Sequence, residues 1–303
     1  MKSFLDEVIA KCEPYKTEGK VASYIPELSG ADPSRLGICL AAPDGGFITA
    51  GDHNVKFTVQ SIIKPIILLQ ALMDRGIEAV ENIVGIESTG KPYDTFNYSD
   101  RALRVEHINP MINAGAIALC TLIRGDCGKE KFSRILSLAR LLSGNPTLDV
   151  DMNVYISERE TGSKNRALAY MLKTYGIIDG DIEDILDIYF HACSVLANCR
   201  DLASIALVLA NHGVRDGVEL IPKQYARYLN AIMSVCGMYD GSGELALRVG
   251  IPAKSGVGGG IMAVVPHKMG IGIYSPALDR KGNSTAGVEA LRLISERLDL
   301  SIY

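Results

Sequence analysis

The order of strand-forming and helix-forming segments constrains the fold of this chain most strongly. Two short β-type runs occupy residues 35–43 and 45–51, around the turn signal Pro43-Asp44-Gly45-Gly46. Helical patterns then fill residues 61–244, β-type runs return at 258–267 and 269–278, and a last helical pattern covers about 284–299. Pairing the strands of the two ends predicts an α/β (α+β) fold. We expect a mainly antiparallel sheet built from both chain ends, flanked by helices, with an inserted all-helical subdomain.

The length of the chain is compatible with one functional unit over residues 1–303. We expect an α/β layer from residues 1–60 and 245–303, and a helical subdomain over residues 61–244. No internal repeat or low-complexity linker interrupts the sequence.

Charge and cysteine usage exclude several classes of protein. The net charge is −4, whereas binding to nucleic acid or an anionic membrane favours a basic face. The N-terminal segment has helical spacing instead of the continuous apolar run of a signal peptide. No apolar run approaches the roughly 18 residues of a membrane span. Six of the seven cysteines lie among apolar residues and only Cys127 looks exposed, which favours a reducing compartment and predicts a cytoplasmic protein.

Ser61-Ile62-Ile63-Lys64 is a candidate nucleophile–base pair. It follows the β-type segment KFTVQ and opens a helical pattern, so both side chains would lie on one helix face. The positive field at a helix N-terminus favours developing negative charge, and a desolvated lysine can act as a base. The spacing also arises by chance, because Ser88-Thr89-Gly90-Lys91 repeats it within a turn-forming stretch.

Lys254-Ser255-Gly256 is a second candidate element, followed by Gly258-Gly259-Gly260 and a β-type run. A Lys-Ser/Thr-Gly tripeptide on a strand beside the nucleophile belongs to the known serine–lysine motif set. A backbone N–H from this edge, together with that of Ser61, could form an oxyanion hole. A glycine-rich turn entering a strand is the alternative interpretation.

Two other leads are rejected. Gly85-x4-Gly90-Lys91 has the spacing of a phosphate-binding loop, but Pro92 replaces the required Ser or Thr. The five histidines are scattered, without a His-Glu-x-x-His motif or a Cys/His pairing. We expect no metal and no cofactor.

Taken in order, several segments resemble the serine-dependent glutaminases, a family with the β-lactamase/penicillin-binding (transpeptidase-like) fold. The resemblance covers nearly the whole chain, and several of its segments are long. The matching stretches are GKVASYIPEL (19–28), GD-x4-FTVQSIIKP (51–65), NPMINAGAI (109–117), SERETGSKNRALAYML (157–172), YFHACS (189–194), CGMYDGSGE (236–244), PAKSGVGGGI (252–261) and GNSTAGV (282–288).

The resemblance implies catalytic roles for four residues and substrate-binding roles for five. Ser61 corresponds to the nucleophile and Lys64 to its base, Tyr239 to the tyrosine that shuttles a proton, and Val257 supplies an oxyanion-hole N–H beside that of Ser61. The positions that hold the carboxylate and ammonium groups of the amino acid are Tyr24, Asn113, Glu158, Asn165 and Tyr189. A zwitterion needs an acceptor such as a glutamate and donors such as Asn and Tyr. The residues alone also allow a surface glutamate, capping asparagines and half-buried tyrosines.

The expected activity is hydrolysis of the side-chain amide of L-glutamine through a Ser61 acyl-enzyme, without nucleic-acid or membrane partners. Two alternatives remain open: a β-lactamase or D,D-peptidase using the same Ser–Lys core, and a non-catalytic glutamine-binding protein on this fold. The resemblance also implies a homo-oligomer, either a dimer or a tetramer.

Overall fold

A computed structural model describes residues 1–87, 105 and 108–303 of the chain. The Ser88-x-x-Lys91 spacing, His107 and part of the rejected phosphate-loop motif (its residues 88–92) lie outside these residues. The helices of the described ranges are α1 Lys2–Lys11, α2 Lys64–Glu81, α3 Asn113–Cys120, α4 Gly128–Ser143, α5 Met152–Thr161, α6 Ser163–Thr174, α7 Ile182–Cys193, α8 Cys199–Ala210, α9 Lys223–Cys236, α10 Ser242–Arg248 and α11 Thr285–Leu298. The strands are β1 Gly37–Ala41, β2 Phe47–Gly51, β3 Phe57–Thr58, β4 Leu196–Ala197, β5 Val214–Arg215, β6 Val218–Glu219, β7 Ala253–Ser255, β8 Gly260–Val265 and β9 Met269–Tyr274.

The central sheet joins the two ends of the chain, as the sequence pattern predicted. Its five strands lie in the order β2-β1-β9-β8-β7, and every neighbouring pair is antiparallel. The predicted hairpin is β1–β2, in which Cys39 lies opposite Thr49. The strand that carries the Lys-Ser-Gly motif, β7, forms one edge of the sheet.

Helices cover both faces of this sheet. Side chains of α1 and α11, such as Leu5 and Leu291, pack with Ile38 and Ile273 on one face. On the other face α8 lies against the sheet, and a Cβ at Gly272 would come within 2.0 Å of a carbonyl oxygen at the start of α8. The glycine therefore permits a close helix–sheet contact, and the sheet is the middle layer of an α/β/α arrangement.

Helix α2 runs through the interior of the helical region. Its first nine residues, Lys64–Leu72, are all buried, and a helix that is apolar all round belongs to the core of a large domain. The helix is interrupted at Gly76, whose φ of 83° is non-helical, and resumes as far as Glu81.

The seven cysteines form no disulfide, six are buried, and Cys127 is exposed, which agrees with the sequence pattern. Among the helices of the described ranges, none combines the length and the apolar character needed to cross a membrane.

Candidate active site

Ser61 lies at a junction between a short strand and the buried helix α2. After β3, a 3₁₀ turn over Gln60–Ile63 carries the serine, and α2 begins at Lys64. The sequence pattern placed the start of the helix at Ser61, so the α-helix begins one turn later than expected. In a 3₁₀ turn the side chains three residues apart lie one above the other, which still places Ser61 and Lys64 on the same side. Gln60 has a φ of 49°, and backbone strain of this kind is common at functional sites.

Lys64 is fully buried, and two of its hydrogen bonds go to neutral acceptors. Its amine donates to Asn113 Oδ1 at 2.6 Å and to the carbonyl of Met111 at 3.3 Å. Burial disfavours the charged ammonium and lowers the pKa of Lys64 to about 8, although Cys193 and Glu158 act in the opposite direction. A substantial fraction of the amine is therefore neutral near physiological pH.

Glu158 on α5 is the buried acid of the site, with 6% of its surface exposed. Burial raises the pKa of its carboxyl group to about 7, while a hydrogen bond with Gln60 and the charge of Lys64 act to lower it. The ionised form of this buried carboxyl group becomes more stable when a cationic group binds beside it, because the positive charge compensates for the lost solvation.

The two site asparagines form a directed chain with Lys64. Because Asn113 accepts from Lys64 through Oδ1, its amide group donates from Nδ2 to Asn165 Oδ1 at 2.9 Å. Asn165 therefore uses its oxygen within the protein and keeps its own NH₂ group as a donor. Asn113 is the first residue of α3 and Asn165 lies on α6, so this chain links three helices.

A cavity of about 300 Å³ lies against these side chains, a volume suited to a small ligand. Six of the nine residues named from the sequence line it: Tyr24, Ser61, Asn113, Glu158, Asn165 and Tyr189. Tyr189 is almost fully buried, and burial, with the nearby Cys193 and Glu158, raises the pKa of its hydroxyl well above the ordinary value. Tyr189 is therefore a neutral hydrogen-bonding group.

Tyr239 and Val257 lie together in a small buried cluster with Leu278. Tyr239 opens a 3₁₀ turn after α9 with a φ of 55°, and its hydroxyl donates to the Ser255 carbonyl at 3.4 Å. A Cβ at Gly256 would lie 2.5 Å from the carbonyl oxygen of Val59. The turn that carries Val257 is thus packed directly against the backbone that leads into Ser61.

Some site residues were missed by the sequence analysis. The cavity is also lined by Gln60, Thr161, Gly162, Ser163, Lys164 and Cys193. Cys193 follows Tyr189 by four residues on α7, a spacing that places both on one helix face, and this signal was available. Within the described part of the chain, no three His, Cys, Asp or Glu residues are grouped to hold a metal ion.

A Ser–Lys helix start beside a Lys-Ser-Gly edge strand, on an antiparallel sheet covered by helices, defines the β-lactamase-like class of proteins. Comparison with known proteins specifies the family. The family model described as "Glutaminase" matches residues 19–303. The chain belongs to the glutaminase family.

Full-length relatives and solved structures agree with this assignment. Glutaminase 2 of Clostridium perfringens (strain 13 / Type A) is 48% identical, and the match covers 100% of both chains. The glutaminase of Clostridioides difficile (strain 630) is 48% identical over 100% of this chain and 98% of its own. A Bacillus subtilis glutaminase, solved as a covalent complex with 5-oxo-L-norleucine formed by reaction with 6-diazo-5-oxo-L-norleucine, superposes with a TM-score of 0.91 and 39% identity over 99% of this chain and 98% of that one.

Proposed function

We propose that this glutaminase hydrolyses the side-chain amide of L-glutamine to L-glutamate and ammonia through an acyl-enzyme on Ser61, with Lys64 as the general base. The observation that carries the proposal is the fully buried amine of Lys64, held by an amide oxygen and a backbone carbonyl one turn after a serine that lines the cavity. No cofactor takes part in the proposed reaction.

The first step is attack by Ser61 Oγ on the carboxamide carbon, while the Oγ proton passes to neutral Lys64. Dividing one difficult displacement into two easier steps is the advantage of the covalent route. The carbonyl oxygen becomes an oxyanion between the backbone N–H groups of Ser61 and Val257. The close packing of Gly256 against Val59 supports this pairing, because it brings the two backbone segments together.

The ammonium and carboxylate groups of glutamine are held by complementary groups of the protein. Glu158 accepts the ammonium group, which stabilises its ionised form. Asn165 donates to the substrate carboxylate, since its oxygen already accepts from Asn113. The Tyr24 and Tyr189 hydroxyl groups, which line the same cavity, complete the polar contacts.

The collapse of the tetrahedral intermediate breaks the C–N bond and needs a proton on the leaving nitrogen. Tyr239 relays this proton from Lys64 to the nitrogen, and ammonia departs. Water then attacks the glutamyl ester and gives a proton to Lys64. The ester C–O bond breaks, glutamate leaves, and this second proton passes from Lys64 to Ser61 Oγ. The position of Tyr239 in one cluster with Val257 supports this role.

Ammonia release from glutamine and from asparagine by the purified protein tests the proposed activity, and we expect release from glutamine. Turnover of a chromogenic cephalosporin without ammonia release would favour the β-lactamase or D,D-peptidase alternative. Calorimetric binding of glutamine without ammonia release would favour a non-catalytic binding protein. Incubation with 6-diazo-5-oxo-L-norleucine should place a covalent adduct on the peptide that contains Ser61.

We propose also that the chain is a single catalytic unit over residues 1–303, in which the α/β layer of residues 1–60 and 245–303 and the part over 61–244 share one site. The part over 61–244 is mainly and not entirely helical, since it contains β4, β5 and β6, and its helix α8 packs on the sheet of the α/β layer. The proposed site residues come from both parts, which supports one unit: Tyr24 and Val257 belong to the α/β layer, and the others belong to residues 61–244. The free, mostly buried cysteines support a cytoplasmic protein, and the family assignment supports a homo-oligomer, a dimer or a tetramer. Light scattering after size-exclusion chromatography measures the number of subunits directly.

A further inference from the structure

The loop between β9 and α11, residues 275–284, lies against the turn that carries Tyr239. It contains Asn283, part of the GNSTAGV stretch that resembles the glutaminases, and the proposed reaction gives no residue of this stretch a role. Leu278 of the same loop packs in one cluster with Tyr239 and Val257. Asn283 itself is buried, with 4% of its surface exposed. The loop therefore supplies a buried amide group next to the proposed proton relay.

The amide group of Asn283 holds the residue that precedes Tyr239. Its Nδ2 donates to the carbonyl of Met238 at 3.3 Å, and this carbonyl also accepts from the backbone N–H of Gly241 at 2.9 Å. One carbonyl can accept both donors, because it has two lone pairs. A Cβ at Gly241 would lie 3.2 Å from the same Nδ2 atom. The amide of Asn283 thus lies against both ends of the turn from Met238 to Gly241.

The backbone around Asn283 is held in place by its own hydrogen bonds. The N–H group of Asn283 donates to Asp279 Oδ1 at 2.9 Å, and the N–H group of Asp279 donates to the carbonyl of Asn283 at 2.8 Å. The hydroxyl of the next residue, Ser284, donates to the carbonyl of Ser275 at 2.7 Å and accepts from an N–H group in the first turn of α11. Asn283 is therefore a fixed point from which its side chain can hold the neighbouring turn.

The turn that carries Tyr239 needs a support outside itself. A non-glycine residue with a φ of 55° occupies a sparsely populated region of backbone space, which persists only where surrounding contacts hold it. Within the turn, Ser242 Oγ accepts from the N–H group of Met238 and donates to the carbonyl of Tyr239, both at 3.0 Å. These two bonds set the shape of the turn but move with it, whereas the bond from Asn283 fixes its place relative to α11.

We propose that Asn283 is a positioning residue, whose amide anchors the Met238 carbonyl and so fixes the place of the Tyr239 side chain for proton transfer. This inference rests on the role proposed above for Tyr239. Asn283→Leu keeps the branched shape of the side chain and removes its donor. It should lower kcat by about 10- to 100-fold, since a misplacement of about 1 Å costs a rate loss of that order, and leave the KM for glutamine within about threefold of the original value.

Two further variants separate the loss of the donor from other effects. Asn283→Ala adds no atom that could press on Gly241, and it should show the same loss of kcat as Asn283→Leu. Asn211→Ala is the matched control, because the amide of Asn211 at the end of α8 also donates to a backbone carbonyl, that of Val214, at 3.0 Å. This control should retain full activity. Full activity of Asn283→Ala, or a higher KM in place of a lower kcat, would overturn the positioning role.

A double-mutant cycle with Tyr239→Phe distinguishes this inference from the proposed function. If Asn283 acts through Tyr239, Asn283→Leu costs nothing further in kcat once the Tyr239 hydroxyl has been removed. Additive losses in the double variant, with Tyr239→Phe itself impaired, would overturn the positioning role and leave the proton relay in place. Full activity of Tyr239→Phe alone would refute the proton relay of the proposed function, and this inference with it.

Discussion

Lys64 donates a 2.6 Å hydrogen bond to Asn113 Oδ1, so the proposed base is held by a neutral amide at the first residue of α3. A carboxylate in the same place would stabilise the ammonium form, whereas the amide binds the amine without adding a charge. The identity of residue 113 therefore contributes, together with burial, to how readily Lys64 loses its proton.

The variant Asn113→Asp tests this relationship. A carboxylate beside the amine should raise the pKa of Lys64 and move the acid limb of the kcat profile to higher pH by about 1 unit or more. Asn113→Ala removes the acceptor without adding charge and is the comparison variant. If the acid limb lies at the same pH for Asn113→Asp and for the unmodified enzyme, residue 113 does not affect the pKa of Lys64.

The pH dependence of kcat/KM should contain two ionisations that act in the same direction. Glu158, with a pKa of about 7, must lose its proton to bind the substrate ammonium group, and Lys64, with a pKa of about 8, must lose its proton to accept one from Ser61. Activity should therefore rise with pH through 7 and 8. A flat profile between pH 6 and about 9 would contradict both assignments.

Glu158→Gln should raise the KM for glutamine by about 10- to 100-fold, which corresponds to the loss of a hydrogen bond between charged groups. The lower of the two ionisations should disappear from its kcat/KM profile. Glu160→Gln removes an exposed acid from the same helix and is the matched control, with kinetics like those of the unmodified enzyme. An unchanged KM for Glu158→Gln would place the ammonium group elsewhere.

The packing of the Val257 turn can be tested with one added methyl group. Gly256→Ala would place a Cβ 2.5 Å from the Val59 carbonyl, so the turn must move and the Val257 N–H moves with it. The loss of one oxyanion-hole donor costs about 10²- to 10³-fold in kcat. At Gly243 in α10 an added Cβ meets nothing within 4 Å, and Gly243→Ala should leave kcat unchanged. Equal kcat values for the two variants would exclude the turn from the chemistry.

Away from the site, Asp74 near the middle of α2 is tied to α4 by the guanidinium of Arg134 and also accepts from the backbone N–H of Arg124. Burial alone would raise the pKa of Asp74, but these hydrogen bonds outweigh it and hold the pKa below the ordinary value. The stability that ionised Asp74 gives to the folded protein is fully present above the pKa of this carboxyl group in the unfolded state. It is lost as the pH falls through the lower pKa of the folded state.

Arg134→Met should therefore lower the free energy of unfolding by about 1–3 kcal/mol at neutral pH, without a change in kcat. The difference from the unmodified protein should shrink in acid, where Asp74 is protonated in both. Lys129→Met, at an exposed position on the same helix, controls for the loss of a surface charge. Denaturant unfolding at pH 7 and at about pH 2, below the ordinary pKa of an aspartate, measures both effects.

The sheet could be predicted because its strands carry apolar β-type runs with clear turn signals, as at Pro43–Gly46. The packing of α8 on that sheet could not, since it depends on the contact of Gly272 with a helix more than sixty residues earlier in sequence. The hydrogen-bonded chain from Lys64 through Asn113 to Asn165 likewise joins residues 49 and 52 positions apart. Gln60 was missed because its strained backbone is visible only in three dimensions.

The central claim is that Ser61 is the nucleophile, and steady-state ammonia release from glutamine by Ser61→Ala tests it most directly. Ser88→Ala, which alters the other Ser-x-x-Lys spacing in the sequence, is the matched control. We predict that Ser61→Ala loses at least about 10³-fold in kcat while it still binds glutamine, and that Ser88→Ala keeps the activity of the unmodified enzyme. Ammonia release by Ser61→Ala at close to the original rate would contradict the account.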